Sequence, residues 1–214
     1  MFALAGFTNA LNLIDGLDGL SSSISIVILS SFLYIGFMNN DELIYTLSIF
    51  TIASLLAFLF FNWHPASIFM GDSGSLFIGF IIATVAVLSL KYIHPIAILY
   101  LAAVPILDTI IVMTRRIKKG LSPVQPDKTH IHHILLNFFR KKVKKTVSFL
   151  ILMQILFSLV GLLLASDPNI LSEGPSSIIA TFAFIGITIL FYMIFTGMKR
   201  RQRFIKKLAL RNKK

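Results

Sequence analysis

The sequence predicts an all-α fold, a polytopic bundle of transmembrane helices whose cytoplasmic loops form a site. Three observations carry this. Hydrophobic residues make up 56% of the 214 and charged residues only 14%, with a mean hydropathy of +0.84. A soluble domain needs more polar surface than that to cover itself. The apolar residues also fall into separated runs of span length, and the cations are confined to two clusters. Cysteine is absent, which excludes a disulfide framework or a thiolate metal site.

The runs are Phe2–Ile14, Leu20–Met38, Leu43–Phe61, Leu76–Leu90, Ile93–Met113, Val147–Ala165 and Ser177–Met198. A helix needs roughly 17–25 residues to cross a bilayer. Six runs therefore read as full spans, the one at Leu76 only with its Leu90–Lys91 end included. The first is a partial span. Pro95 and Pro105 are expected to bend the fifth. Residues 1–198, with the loop 115–145, form the membrane core, and 199–214 form a basic tail.

The net charge of +11 raises nucleic acid as a partner, but its distribution argues against that. Of the twenty Lys and Arg residues, only Lys91 precedes Arg115, ten lie between Arg115 and Lys145, and nine lie from Lys199 onward. Positive charge marks the cytoplasmic side of spans, so both clusters are expected inside. Counting backward through the spans places Asn39–Glu42 and Lys91–His94 outside. Asp15/Asp18, Asn62–Ser75 and Arg115–Lys145 all fall inside. The basic run Arg140–Lys145 also attracts anionic lipid.

Three motifs therefore converge on one face. In the first, Asn9, Asn12, Asp15 and Asp18 recur every three residues, a spacing that puts the first three near one side of a helix. Gly16 and Gly19 loosen the backbone where the carboxylates emerge. Ionisable groups at a membrane boundary are costly and so are functional candidates; the plain alternative is a polar helix end with a glycine cap. In the second motif, Pro65 ends a helix near His64, and Gly71 and Gly74 flank Asp72. Ser73 or Ser75 is then expected to cap the next helix, whose amino end favours anionic oxygens. Mg²⁺ takes few protein carboxylates and completes its shell with water and phosphate, which suits Asp72; the alternative is a simple cap. His64 reads as structural.

The third motif is Asp127–His133. Ile131, Ile134, Leu135 and Phe138 are spaced as the apolar stripe of a helix lying on the membrane surface. His130, His132 and His133 read better as imidazoles facing phosphate than as zinc ligands, because zinc rarely draws three ligands from such close positions. Asp108, two turns before Arg115, reads as a supporting residue. Together these features describe phosphoryl transfer involving a lipid carrier. A cation-coupled transporter is the alternative, although a transporter places its carboxylates near the bilayer midplane.

These three motifs, in this order, resemble the signatures of the polyprenyl-phosphate N-acetylhexosamine-1-phosphate transferases, the glycosyltransferase 4 family. The His-Ile-His-His form resembles its undecaprenyl-phosphate N-acetylglucosamine-1-phosphate branch. The resemblance implies that undecaprenyl phosphate attacks a UDP-N-acetylhexosamine and UMP leaves, at the cytoplasmic face of a bacterial inner membrane, beginning an envelope glycan. It implies Mg²⁺, with Mn²⁺ as the alternative ion, held by Asp72 and Asp15. Asp15, Asp18, His130, His132 and His133 match catalytic positions, and Asn9, Asn12, Asn62 and Phe69 match substrate-binding ones.

The family's adjacent Asp-Asp motif has no counterpart here. The chain resembles the C-terminal part of such an enzyme, and is expected to be inactive alone or to need an N-terminal half or a second copy as partner. The orientation is testable by cysteine labelling. Asn40→Cys and Leu171→Cys should react with an impermeant maleimide on intact cells, and Ser122→Cys and Arg211→Cys only after permeabilisation. Labelling of Ser122→Cys on intact cells would separate the three motifs.

Overall fold

Leu20–Met38 is the most buried of the span-length helices, 67% of it inside the bundle, where its serines let neighbours approach closely, although Tyr34, Phe37 and Met38 are exposed. The computed structural model describes residues 2–118, 120–122, 130–166 and 174–211. Among them the chain forms α1 (Phe2–Ile14), α2 (Leu20–Met38), α3 (Glu42–Asn62), α4 (Gly71–Ser89), α5 (Pro95–Leu101), α6 (Ala103–Ile117), α7 (Ile131–Phe138), α8 (Val143–Ser166) and α9 (Gly174–Arg211). Five are long and apolar enough to cross a membrane, and α5 with α6 makes a sixth if counted as one span. The protein is a multi-pass, all-α membrane bundle. Asp127–Thr129 of the third motif, and Leu171, lie outside the described residues.

Three elements differ from the sequence expectation. Helix α4 starts at Gly71, so the polar Gly71–Ser75 stretch adds a turn to the apolar run. Helix α9 runs through the basic cluster to Arg211, making the first part of the tail a continuation of the last span. The fifth run is two helices meeting at 89°, far beyond a proline bend.

Glycine sets two close approaches. Gly19 takes a left-handed φ of 73° at the start of α2, a conformation that glycine adopts without steric cost. On α4, a Cβ at Gly79 would sit 2.8 Å from the Thr8 Cα, so α1 and α4 pack backbone to backbone. At the far end, Asp41 caps α3 by accepting from the Ile44 amide at 2.9 Å. Its other oxygen accepts from the Tyr92 hydroxyl at 2.9 Å and pairs with Lys91. The α2–α3 and α4–α5 turns thus meet at one end of the bundle, as the alternating count requires.

The 89° break has a chemical cause. Pro105 has no N–H to continue a helix through Leu101, but it is tolerated in the first turn of a new one. Helix α5 therefore stops at Leu101, and α6 begins at Ala103 with no capping side chain of its own. Buried Gln154 of α8 completes both ends. Its Nε2 donates to the Leu101 carbonyl at 2.7 Å, and its Oε1 accepts from the Val104 amide at 3.0 Å. Helix α8 comes this close because Gly161 lies against Leu101, where a Cβ would be 3.0 Å from the Leu101 nitrogen. Tyr100 then ties α5 to α9 by donating to the Ala180 carbonyl at 3.0 Å and packing edge-on against Phe184.

Gln154→Leu leaves the Val104 amide buried and unpaired, at about 1–3 kcal/mol, and the Leu101 carbonyl with only the 3.4 Å contact from the Ser158 hydroxyl. Thermal unfolding in detergent should show a lower midpoint for this variant and little change for the exposed substitution Leu152→Ala.

Candidate active site

The end of the bundle opposite Asp41 gathers the three motifs. Asn62, at the end of α3, is buried, and its amide is the latch of the first two. Its Oδ1 accepts from the Gly19 amide (3.1 Å) and the Ser22 hydroxyl (3.0 Å), and its Nδ2 donates to the Ile68 carbonyl (2.9 Å). Asp18 adds a second tie: Oδ2 lies 2.6 Å from His64 Nδ1 and accepts from the Ala66 amide at 3.2 Å. His64 is thus a partner of Asp18. The loop from Trp63 to Met70, fixed at both ends, leaves the Phe69 ring 74% exposed at the mouth.

Asn12, near the end of α1, accepts from the Ser75 hydroxyl at 2.6 Å. Ser75 lies inside the first turns of α4, whose N-cap is Met70 with no side-chain cap. The expected serine cap is therefore absent; Ser75 joins α4 to α1 instead. Asp72 occupies the first helical turn, where its charge is favoured by the helix dipole. Asn9 is exposed on α1.

Asp15 and Asp72 are the carboxylates with no hydrogen bond or ion pair to a described residue within the first two motifs. Burial, and then the neighbouring Asp72 charge, pushes the Asp15 carboxyl up to about 6. A carboxyl raised by burial and by a neighbouring carboxylate suits a divalent cation, which offsets both causes. Mg²⁺ takes one or two carboxylates and fills its shell with water and phosphate, so the donor set fits it.

Helix α7 carries the histidines across this region. Its apolar positions Ile131, Ile134 and Leu135 are buried and Phe138 is exposed. The helix packs on α8 and α9 rather than lying only on the membrane surface, and Gln202 of α9 donates to the Ile134 carbonyl at 3.0 Å. Asp108 of α6 holds its start: Oδ2 lies 2.7 Å from His130 Nδ1, and Oδ1 accepts from the Ile131 amide at 2.5 Å. His132 is buried against Gly16, and burial lowers its pKa to about 3. His133 is less buried, with its ring 4.2 Å from that of His132.

The three histidines, equivalent in the sequence, differ in the structure: His130 is the N-cap and, like His132, is buried, and His133 is less so. The roles of Asp108 as anchor and Gly16 as a seat were not visible from spacing, since both depend on contacts across the chain. An apolar cavity of about 450 Å³ lies between α1, α4, α5 and α6, reaching from Ala10 to Leu90 and Pro95 at the α4–α5 turn and lined by Phe7, Ile82, Ile98 and Ile106 among others, with Thr109 its hydroxyl.

The model of the family described as "Glycosyl transferase family 4" matches residues 1–90, the stretch that holds the first two motifs. Over these residues the chain is similar to glycosyl transferase family 4. It is 38% identical to a probable undecaprenyl-phosphate N-acetylglucosaminyl 1-phosphate transferase of Bacillus subtilis (strain 168), over 98% of this chain and 59% of that protein. It is 31% identical to the undecaprenyl-phosphate alpha-N-acetylglucosaminyl 1-phosphate transferase of Escherichia coli (strain K12), over 64% of this chain and 39% of the relative. A phospho-N-acetylmuramoyl-pentapeptide-transferase of Staphylococcus carnosus (strain TM300) is 44% identical over 41% of this chain and 27% of its own length. The chain spans 59% of the length of the Bacillus relative and less of the others.

The carboxylate pair makes a pH prediction. The folded state holds the Asp15 proton more tightly than the unfolded chain does, so this group's contribution to stability falls as pH rises from 3.8 through about 6. Carboxyl NMR of the protein should find Asp15 titrating near 6 without divalent ions, lower in Asp72→Asn, and lower again in wild type with Mg²⁺. A value near 3.8 under all conditions would dissolve the pair.

Proposed function

We propose that the protein transfers N-acetylhexosamine-1-phosphate from a UDP-sugar to undecaprenyl phosphate, releasing UMP, at the cytoplasmic face of a bacterial inner membrane. The observation that carries this reading is the meeting of Asp15 and Asp72 with the histidine helix at one end of a membrane bundle. The names of the relatives support the same reaction class. Transfer to a lipid carrier needs such an arrangement, because one substrate is polar and charged and the other has a long apolar tail.

In this reading a phosphate oxygen of the carrier attacks the β-phosphorus of the UDP-sugar. The new P–O bond forms as the bond from that phosphorus to the UMP oxygen breaks, so the diphosphate charge moves onto UMP. Asp15 and Asp72 would hold Mg²⁺, or Mn²⁺, which when bound neutralises diphosphate charge. Phe69 offers its exposed ring for base stacking, and Asn62 sets the loop that presents it. Asn9 and Asn12 line the approach to Asp15. Asp18 fixes the turn through His64, and the histidines of α7 face the transferred group. The apolar cavity along α1 and α4 suits part of the isoprenoid tail.

The assay uses membranes holding this chain, alone and with a co-expressed N-terminal half from the Bacillus relative, supplied with Mg²⁺, undecaprenyl phosphate and UDP-N-acetylglucosamine. Lipid-linked sugar phosphate and UMP should appear in equal amounts in one of these arrangements. Asp72→Asn should then lower turnover by a factor of about 10² or more, the scale of losing an electrostatic stabiliser. No product in either arrangement, with the full-length relative active in the same membranes, would overturn the reading. Ion-driven solute uptake by this chain would favour a transporter.

A further inference from the structure

We propose that Asp41, Lys91 and Tyr92 form a strap at the far end of the bundle that holds the α4–α5 turn as the end wall of the apolar cavity. The three residues thereby set how far an apolar chain lying in that cavity can run. The strap stands on geometry; that the chain is the tail of a polyprenyl phosphate rests on the transferase reading.

Lys91 is the first sign of it. It is the single Lys or Arg before Arg115, and it sits at the end of the bundle away from both cation clusters, against the charge bias of membrane proteins. A cation kept there needs a local reason. Lys91 pairs with Asp41, which also accepts from the Tyr92 hydroxyl at 2.9 Å, and the ammonium lies 5.0 Å from the centre of the Tyr92 ring. Two consecutive residues of one turn close on a single carboxylate of another.

That carboxylate is a fixed post. The α2–α3 turn is drawn tight, since a Cβ at Gly36 would lie 2.8 Å from Ile44 Cγ2 and 2.9 Å from the Tyr45 nitrogen. The Asp41 amide donates to the Gly36 carbonyl at 2.9 Å, and its carbonyl accepts from the Tyr45 amide at 3.0 Å. The Ile44 amide first, and then Lys91 and Tyr92, hold the Asp41 carboxyl down to about 2. The post therefore stays charged at neutral and mildly acidic pH, and the strap is not a pH switch.

The α4–α5 turn is the part strapped down. The Ser89 carbonyl accepts from the Tyr92 and Ile93 amides at 2.9 and 3.0 Å, which shapes the turn but does not fix it to a neighbour. The two side chains on Asp41 do that, unequally. Lys91 is half exposed, so its ion pair is screened and weak. The Tyr92 hydroxyl meets a carboxylate that is only 6% exposed, and a bond to a buried charge is the stronger tie.

The cavity ends at this turn. Leu90 and Pro95, on either side of it, line the cavity, and none of the residues from Lys91 to His94 does. Phe32 of α2, fully buried, lines it as well, about two helical turns before the turn that carries Asp41. The strap thus joins two walls, α2 and the α4–α5 turn, where the lining stops.

The test uses two photoprobes with a diazirine on the terminal carbon, farnesyl phosphate and the headless alcohol farnesol. Each is added to the whole chain in nanodiscs, and crosslinks are mapped by mass spectrometry. In wild type they should fall on the buried lining residues Phe32 and Ile82, with less than a tenth as many on residues 39–41 and 91–94. Lys91→Met/Tyr92→Phe, which leaves Asp41 capping α3, should raise the share beyond the wall about tenfold. Lys91→Arg, which keeps the ion pair, should hold the wild-type pattern. Unchanged hydrogen exchange at the Ile44 amide reports an intact α2–α3 turn; if the double variant loses it, Tyr92→Phe alone carries the test.

A strap that only stabilises the fold speeds exchange at the Tyr92 and Ile93 amides without moving the crosslinks, and that result would overturn the proposal. So would wild-type crosslinks already beyond the wall, or none on Phe32 and Ile82 with either probe. Strap-dependent labelling by farnesol with none by the phosphate would sink the transferase reading and leave the strap standing.

Discussion

A backbone carbonyl or amide left unpaired inside a bilayer costs so much that only structures which satisfy it persist there. This chain creates such a pair deliberately, at Leu101 and Val104, by placing Pro105 where a continuous helix would need an N–H. One buried side chain, Gln154, answers both groups. The right-angled path of α5 and α6 rests on that amide, with the Ser158 hydroxyl adding a 3.4 Å contact to the Leu101 carbonyl. So does the position of Asp108, carried by α6, and through Asp108 the start of α7.

The site is assembled by a small number of such ties between segments distant in sequence. Asn62 links α3, the start of α2 and the Trp63–Met70 loop. Ser75 links α4 to α1, and Asp108 links α6 to α7. Each is a polar side chain satisfied by protein, as expected where water is scarce. The carboxylates of Asp15 and Asp72 stand apart from that pattern. The raised Asp15 carboxyl is the kind of cost that persists where function requires it.

Much of this was legible from residues alone. The apolar runs and the two cation clusters gave the long apolar helices, though not the split of the fifth run, and the shared end of the motifs, since hydrophobicity and charge placement are properties of local sequence. The φ-permissive role of Gly19 followed from its place beside a helix start. Other features were not legible. Gln154 is an unremarked glutamine in an apolar run, and nothing near it in sequence shows that it faces a proline break fifty residues away. The serine expected to cap α4 lies within the helix, because the helix begins earlier than its apolar residues do.

The sequence by itself determined the all-α class, the spans, the converging motifs and the identity of the polar residues, because each rests on composition or short-range periodicity. Only the tertiary structure decided what those residues touch. Three closely spaced histidines look equivalent as letters. They differ because Asp108 stands at one end of α7 and Gly16 leaves a methyl-sized space beneath the next ring, and both facts depend on how α1, α6 and α7 come together in space.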